Sequence, residues 1–508
     1  MSIANDAGLT TSLWMTQEVP DFPILADHER DPDVCVIGAG ISGLSIARGL
    51  AQRGLDVLVL DRGPVGGGQT ARTSAHLSSA LDDRYYLLRK HFGAEGAKLA
   101  ASSHRAAIDE IERTVKELAI ACAFARVPGY LFGDQTVLER ELAAASEAGL
   151  EVAFVDRAPL PFDTGRSLRF EQQAELQPLA YIAALAKDLA ARGVRIRTNT
   201  HVLAVAGGAL CELELEGGQT LRAKAVVDAT GFGITSRYDI PIRMAAYRSY
   251  CLAFAVPHEA LPHALYWDTS DPYHYLRLAS DAAGREILVV GGEDHRVGQG
   301  DPEKAWAALE AWTKQRFPMV GDRVAHWSGQ VGEPSDGLAY IGALPGSENV
   351  YMVTGDSGNG LTHGVIAGMI IPALIANEKH PWAELYSIGR SKRHGIGTLL
   401  HEAIKSNIPF RDWISPADVS SVDDIKPGHG ATVRRGLHLI AAYRDGAGVC
   451  HERSARCPHL NAVVRWNAAE QTWDCPAHGS RFDGCGRVLN GPSAHDLPEI
   501  PSDASKGA

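Results

Sequence analysis

The chain has 508 residues, room for two to four domains, and its 45% apolar and 22% charged content is that of a globular protein. A net charge of −12 offers nothing to nucleic acid or an anionic membrane, and no stretch approaches the ~20 apolar residues of a membrane span. Residues 1–33 lack a basic start followed by an apolar run, so no signal peptide is expected, and eight scattered Cys without paired spacing point to a reducing, cytoplasmic compartment.

In chain order, Val34 to Ile37 is an apolar run that leads into Gly38-Ala-Gly40-Ile-Ser42-Gly43. Leu44 to Gln52 has helical spacing, Gly54 ends that helix, Leu55 to Leu60 reads as the next strand, and Asp61 and Arg62 stand at its end. This is a βαβ dinucleotide fingerprint in its required context. Gly38 allows the tight turn, Gly40 lets the backbone approach a pyrophosphate, Gly43 lets helix pack on strand, and Asp61 would accept from ribose hydroxyls. The alternative is a purely structural glycine turn. The segment Gly66 to Leu77, with Gly68, Thr70, Arg72, Thr73, Ser74 and His76, is rich in Gly and hydroxyls and can wrap a pyrophosphate and a flavin edge.

Tyr85 to Leu118 has the periodicity of two helices broken near Gly93–Gly96, and Arg157 to Ser167 reads as a loop. Leu176-Gln-Pro178 leads into a helix from Ala180 to Ala191, and Val202 is counted with the cofactor-contacting set. Ala225 to Gly231 is a buried-type strand closing on Thr230-Gly231. Pro241 to Val256 and Arg277 to Val290 are β-rich, with Arg285 to Gly292 read as a central strand that ends in the polar loop Glu293-Asp294-His295. Val350 to Val353 then runs into Gly355-Asp356-Ser-Gly358-Asn359-Gly360-Leu361-Thr362-His363-Gly364, followed by a helical stretch from Val365 to Ala376. A helix N-terminus there would aim N–H groups at an anion such as the N1/C2=O edge of reduced flavin. Asn377 to Ser415 is partly helical, and from Ala431 the pattern becomes short strands and turns.

Cys457-Pro-His459 and Cys475-Pro-Ala-His478 offer two thiolates and two imidazoles on two loops. A [2Fe–2S] cluster can use that set with both sulfurs on one iron and both nitrogens on the other. The alternative is a Cys₂His₂ zinc site, although a classical finger places both His on one helix.

With Gly479 to Asp483, Gly486 to Val488 and Gly491-Pro492, this region resembles the Rieske family. The upstream segments, from about Asp31 to Glu378 and including Trp327 to Gly342, resemble the FAD-dependent D-amino-acid oxidase superfamily. The whole is similar to bacterial flavin oxidoreductases that carry a C-terminal Rieske module. The resemblance implies an α/β Rossmann-type FAD-binding domain over 31–110, 169–240 and 330–395. It implies an interleaved α+β substrate domain over 111–168 and 241–329, a linker over 396–422, and an all-β Rieske domain over 423–508. Separate cores would let FAD stay bound when the cluster is lost.

The implied activity is oxidation of a small amine, amino-acid-like compound or hydroxy acid by hydride transfer to FAD, with electrons passing singly through the cluster to an external acceptor. The same chain run backwards would supply a partner, and a redox-responsive sensing protein is a reading from another class. No Asp-x₂-His-x₄-His pattern of a mononuclear iron oxygenase occurs. Tyr266-Trp267, Tyr273, Tyr275 and Arg277 form an aromatic–cationic group that could line a substrate pocket, with Arg277 on an anionic group; alternatively the tyrosines only pack on a sheet. His295 is a second catalytic candidate, His363 a cofactor-edge candidate, and His76 either a covalent flavin attachment or an ordinary loop His.

Two departures from these families stand out. Amino-acid oxidases place an Arg near the segment Trp327–Gly342 to hold the substrate carboxylate, and none occurs within it. Respiratory Rieske proteins add a loop disulfide and a Tyr where this chain has Ala462, Ala477 and Phe482.

Overall fold

Every residue of Val34–Ile37 and Val57–Leu60 is buried, as strands in a parallel sheet covered on both faces must be. The computed structural model describes residues 7–235, 240, 243–390 and 416–500. These two strands sit in a six-stranded sheet ordered Tyr340–Ala343, Val350–Thr354, Ala225–Gly231, Val34–Ile37, Val57–Leu60 and Arg195–Arg197. All pairs are parallel except the first. The helix Ile41–Ala51 starts three residues before the apolar periodicity does, because Gly40 caps it and the glycine loop supplies its first turn. It packs on the helix Gly360–Ile375 at a distance only glycine allows: a Cβ on Gly368 would lie 2.8 Å from Ser45. The helix Pro178–Ala191 is capped by the Gln177 side chain, which accepts the Ala180 N–H at 2.6 Å.

A second, nine-stranded mixed sheet runs through Arg323–Pro334, Met244–Ala255, Glu286–Arg296, His274–Ser280, Leu265–Asp268, Ala125–Phe132 and Ser167–Glu175 to His76–Leu77. Val152–Val155 pairs off its path with Ser167–Glu175. The strand from Glu286 does not end in a loop at Glu293. Pairing with Met244–Ala255 resumes after a bulge, with Arg248 opposite His295 and Tyr247 opposite Arg296. A positive φ of 57° at Glu293 accompanies that bulge. The long helix Tyr85–Glu117 does break, at Gly93 with φ 72°.

The C-terminal part folds as two small antiparallel sheets, His429–Arg435, His438–Arg444 and Cys450–Ser454 in one and Arg465–Asn467, Thr472–Asp474, Arg481–Asp483 and Val488–Asn490 in the other. Asp418 accepts from the Thr432 N–H and hydroxyl at 2.8 and 2.7 Å, so this β unit begins before residue 423. Residues 391–415, which hold most of the expected linker 396–422 and of the helical expectation for 377–415, lie outside the described residues.

The β unit is clamped to the rest of the chain by buried charge. Glu470 Oε1 accepts from Arg72 and Arg248 at 3.2 Å each and from the Thr10 hydroxyl at 2.7 Å; the Ser328 hydroxyl also donates to it. Glu470 Oε2 accepts the Thr10 N–H at 3.0 Å. Arg481 bonds Asp474 at 3.0 Å and donates to the Ala7 carbonyl at 2.6 Å. Thus the segment from Ala7 to Thr10, the Arg72 loop, both long strands and the β unit meet at one set of ions. Burial pushes the Glu470 carboxyl up, but Arg72, Arg248 and Arg481 outweigh it and hold it well below the usual carboxylate range.

Removing one partner of such a pair leaves an uncompensated buried charge. Glu470→Ala is therefore expected to cost about 3–5 kcal/mol in denaturant unfolding. Because the folded pKa is depressed, this stabilisation is complete above the ordinary Glu value of about 4.3 and fades as pH falls below it. Glu470→Gln removes that pH dependence, which unfolding curves at several acid pH values will show.

Candidate active site

One cavity opens at the C-terminal ends of the parallel strands, between the two large sheets. Gly38, Gly40, Ser42, Asp61, Arg62, Gly68, Thr70, Thr73, Ser74, His76, Val202, Thr230 and Gly231 line it, together with Gly355, Asp356, Gly358, Asn359, Gly360, Leu361 and His363. Tyr273 and Tyr275 line it as well, with Trp267. Local bonds explain the placement. Thr70 Oγ1 accepts the Ile41 N–H at 3.1 Å, tying the second loop to the start of the first helix. Asp228 accepts from the Thr230 hydroxyl at 2.7 Å and so fixes the end of its strand. Asp61 accepts the Ala39 and Gly63 N–H groups at 2.6 and 2.8 Å, and burial pushes its carboxyl up.

Five expected site residues are placed otherwise. Arg277 lies on the same strand face as Tyr273 and Tyr275 but further along, beyond the cavity. There it bonds Glu175 at 3.2 Å, donates to the Leu176 and Ser74 carbonyls, and lies over the Trp14 ring. It props the loop at Ser74 and is not free to hold an anionic substrate. His295 is carried by the strand extension to the helix-covered face of the sheet, where Nε2 meets the Tyr250 hydroxyl at 2.8 Å. Thr362 is turned away from the cavity and shares a hydrogen bond with His104 Nδ1 at 2.8 Å. Gly43 serves packing, since a Cβ there would lie 1.8 Å from the Gly38 carbonyl oxygen. Arg72 does border the cavity, but its guanidinium is spent on Glu470, the Ser328, Gly8 and Thr10 carbonyls and the Thr10 hydroxyl.

The three lining histidines among the described residues are neutral, His201 being lowered to about 4 by burial. Burial lowers His76 to about 3, with Arg277 nearby adding to the effect, and burial lowers His363 to about 4. The Asp356 carbonyl can only accept, so at 2.8 Å it fixes the proton on His363 Nδ1 and leaves Nε2 an acceptor without a protein partner. His76 Nδ1 meets the Ser74 hydroxyl at 3.0 Å, and its Nε2 also has no protein partner.

Sequence reasoning missed Gln69, Asp82, Ser249, Cys251 and Gln330 in the wall, and above all Leu489, Asn490, Gly491 and Ser493. The last four come from the C-terminal β unit. Arg62 donates to the Leu489 carbonyl and fastens that loop across the cavity. The two modules therefore do not have independent sites. No local pattern could have shown this, because the contact joins segments more than 400 residues apart.

On the β unit, Cys457 and His459 come from one tight loop, closed by Cys457 N–H to the Ala462 carbonyl at 2.9 Å. Cys475 and His478 come from the other, closed by Gly479 N–H to the Cys475 carbonyl at 3.0 Å. The imidazoles stand 5.2 Å apart at 89°, and Nδ1 of each is buried without a partner. The two thiols are unoxidised and hydrogen-bonded to each other, and Cys457 also bonds Ser480. Among the described residues no three His, Cys, Asp or Glu side chains converge on a single metal position. Two orphaned nitrogens and two paired sulfurs fit a dinuclear cluster, not one tetrahedral ion.

The FAD dependent oxidoreductase family matches residues 33–374, and the Rieske [2Fe-2S] domain matches residues 415–501. The chain belongs to the FAD-dependent oxidoreductase family. It is an oxidoreductase with a C-terminal Rieske domain, and its cofactors are FAD and a [2Fe–2S] cluster. A protein of Bacillus subtilis (strain 168), YhfW, described as a Rieske 2Fe-2S iron-sulfur protein, is 28% identical over 96% of this chain and 97% of its own. The cytochrome b6-f complex iron-sulfur subunit of Prochlorococcus marinus (strain NATL1A) is 30% identical over 27% of this chain and 72% of its own. Among solved structures, glycine oxidase from Geobacillus kaustophilus aligns with TM-score 0.60 at 19% identity, over 72% of this chain and 100% of its own. At that identity the likeness is one of fold. Among the described residues no helix is long and apolar enough to cross a membrane.

The cavity fits FAD. Gly38 to Ser42 and Gly68 to Thr70 would hold the pyrophosphate, Asp61 the ribose with its remaining lone pairs, and the Gly355–Leu361 loop with His363 the flavin edge. Asp61→Ala is expected to weaken FAD binding by about 1.5–3 kcal/mol in equilibrium dialysis, the worth of a charge-assisted hydrogen bond, while the cluster EPR signal persists. Phe482 is fully buried beside the cluster loops and cannot donate to a sulfur. Phe482→Tyr is expected to raise the cluster potential from the lower part of the Rieske range of about −150 to +300 mV, as read by protein-film voltammetry.

Proposed function

We propose that the enzyme oxidises a small amine at FAD and passes the electrons singly through the Rieske cluster to an external acceptor. The observation that carries this is the shared wall of the two sites. Gly479, next to the ligand His478, bonds Gln330 of the cavity at 2.8 Å, and Leu489 to Ser493 close the same cavity. Bound FAD supplies a hydride acceptor that can release electrons one at a time to the cluster.

The protein's own groups favour a cationic substrate. Trp267, Tyr273 and Tyr275 form an aromatic wall, with the Tyr275 hydroxyl held by Ser249 at 2.7 Å. Burial raises the Tyr275 phenol well above its usual range, so it stays protonated. Arg62 and Arg72 are the arginines of the wall among the described residues, and both are engaged by the Rieske domain. Among the described residues of the wall, each guanidinium is thus tied to the Rieske domain rather than turned to a substrate carboxylate. Instead Asp82 lines the cavity, with Asp294 and Glu333 within its field. Burial, with the neighbouring carboxylates, raises Asp294 to about 7 and Glu333 to about 8. An amine must lose its ammonium proton before a hydride can leave. Asp294, which bonds the lining Ser249 and whose Oδ1 has no protein partner, would take that proton. Eight Cys without a disulfide accord with a reducing, cytoplasmic compartment.

The test is anaerobic screening of amines, N-methyl amino acids and hydroxy acids. An amine should bleach the flavin band first and the cluster band after it, and turnover should need an added one-electron acceptor. A carboxyl with a raised pKa is neutral below it and anionic above it. Affinity for a cationic amine should therefore rise as pH passes through about 7 to 8, and Asp294→Asn should lose the lower inflection in a spectral titration. Bleaching by hydroxy acids alone would overturn the amine assignment.

A further inference from the structure

We propose that Gln330 is the positioning residue that couples the two cofactor sites, holding the cluster loop against the flavin cavity with one end of its amide. The proposal rests on the relay reading above and assigns its crossing point. Gln330 sits on the strand Arg323–Pro334, opposite Arg248, and is 3% exposed. Its backbone N–H donates to Gln69 Oε1 at 2.7 Å, which ties it to the loop that would wrap the pyrophosphate. Its side chain Nε2 donates to the Gly479 carbonyl at 2.8 Å. Because a carbonyl can only accept, this bond fixes which end of the amide is nitrogen. The other end, Oε1, is buried, lacks a protein partner, and belongs to a residue of the cavity wall. A buried amide oxygen left unpaired is costly, so it calls for a donor that the bound cofactor or substrate would bring.

The surroundings make this crossing tight. A Cβ on Gly479 would lie 2.5 Å from both Gln330 Nε2 and the Ala246 methyl, so no side chain fits between the cluster loop and the sheet. A Cβ on Gly298 would lie 3.0 Å from Pro476 of the same loop. Electron tunnelling falls steeply with distance and with gaps in the packing. This is the contact where the chain of bonds from His478 reaches the cavity through one hydrogen bond. With both cofactors bound, this contact would carry one electron at a time from the flavin side to the cluster side, and an external one-electron acceptor would take each electron in turn.

The test uses the holoenzyme with both cofactors. Flavin is reduced anaerobically by a light pulse with a tertiary amine such as EDTA as the sacrificial electron donor, and reduction of the cluster is followed by absorption and EPR. Gln330→Met keeps the volume and removes both polar ends. It is expected to retain FAD and cluster, lower the melting temperature only by the loss of the Gly479 bond, shift the visible flavin band, and slow cluster reduction several-fold. Gln330→Asn keeps an amide too short to span the gap and should slow it as well, which carries the test if the Met variant loses a cofactor. Wild-type rates with an unshifted flavin band in these variants overturn the proposal and leave the relay standing. Wild-type protein in which the electron never reaches the cluster overturns the relay itself.

Discussion

Burying Glu470 between Arg72 and Arg248 commits the Rieske domain to one place on the flavin domain. A carboxylate taken out of water must find compensation from fixed partners, and here those partners come from the N-terminal segment, the loop after the first βαβ unit and the long strands of the second sheet. The arrangement cannot loosen at one point without stranding charge at another. It determines the rest of the functional geometry: the loop at Leu489 closes the cavity, and the loop at Gly479 is pressed against Gln330. An electron carrier that swings between docking sites needs a weak interface, and this one is held by buried ion pairs.

Within the cavity, burial sets the protonation states. His76 and His363 are held neutral and each presents an unpaired ring nitrogen, which on His363 is an acceptor, without adding positive charge beside the cofactor site. Beside the cavity, burial and neighbouring carboxylates push Asp294 and Glu333 up toward neutral pH. Among the described residues, the two arginines of the wall both bond the Rieske domain.

Much of this was legible in the sequence where chemistry depends on local spacing. The Gly38–Gly43 turn, Asp61 after its strand, the Gly355–Gly360 loop before its helix and the two Cys–His loops all rest on residues a few positions apart. Their physical reasons are local: a tight turn, a helix N-terminus, a pair of donors on one loop. Misplacements arose where a side chain's role is set by tertiary packing. Arg277 reads as a substrate anchor until Glu175, far from it in sequence, takes its charge. His295 reads as a loop residue until a bulge lets the strand run on and turn it to the other face. Arg72 reads as a phosphate ligand, and its true partner, Glu470, stands nearly 400 residues away in an unremarkable turn. Nothing in local pattern marks a buried ion pair between modules.

The central claim is that the two cofactor sites are held in one fixed arrangement, so that electrons cross without domain movement. The most direct measurement is the rate of cluster reduction after pulsed flavin reduction, taken across a series of solvent viscosities. Fixed docking predicts a first-order rate that is independent of viscosity and of protein concentration. A rate that falls in proportion to viscosity would mean that the Rieske domain must leave its seat to receive the electron, and would contradict the account.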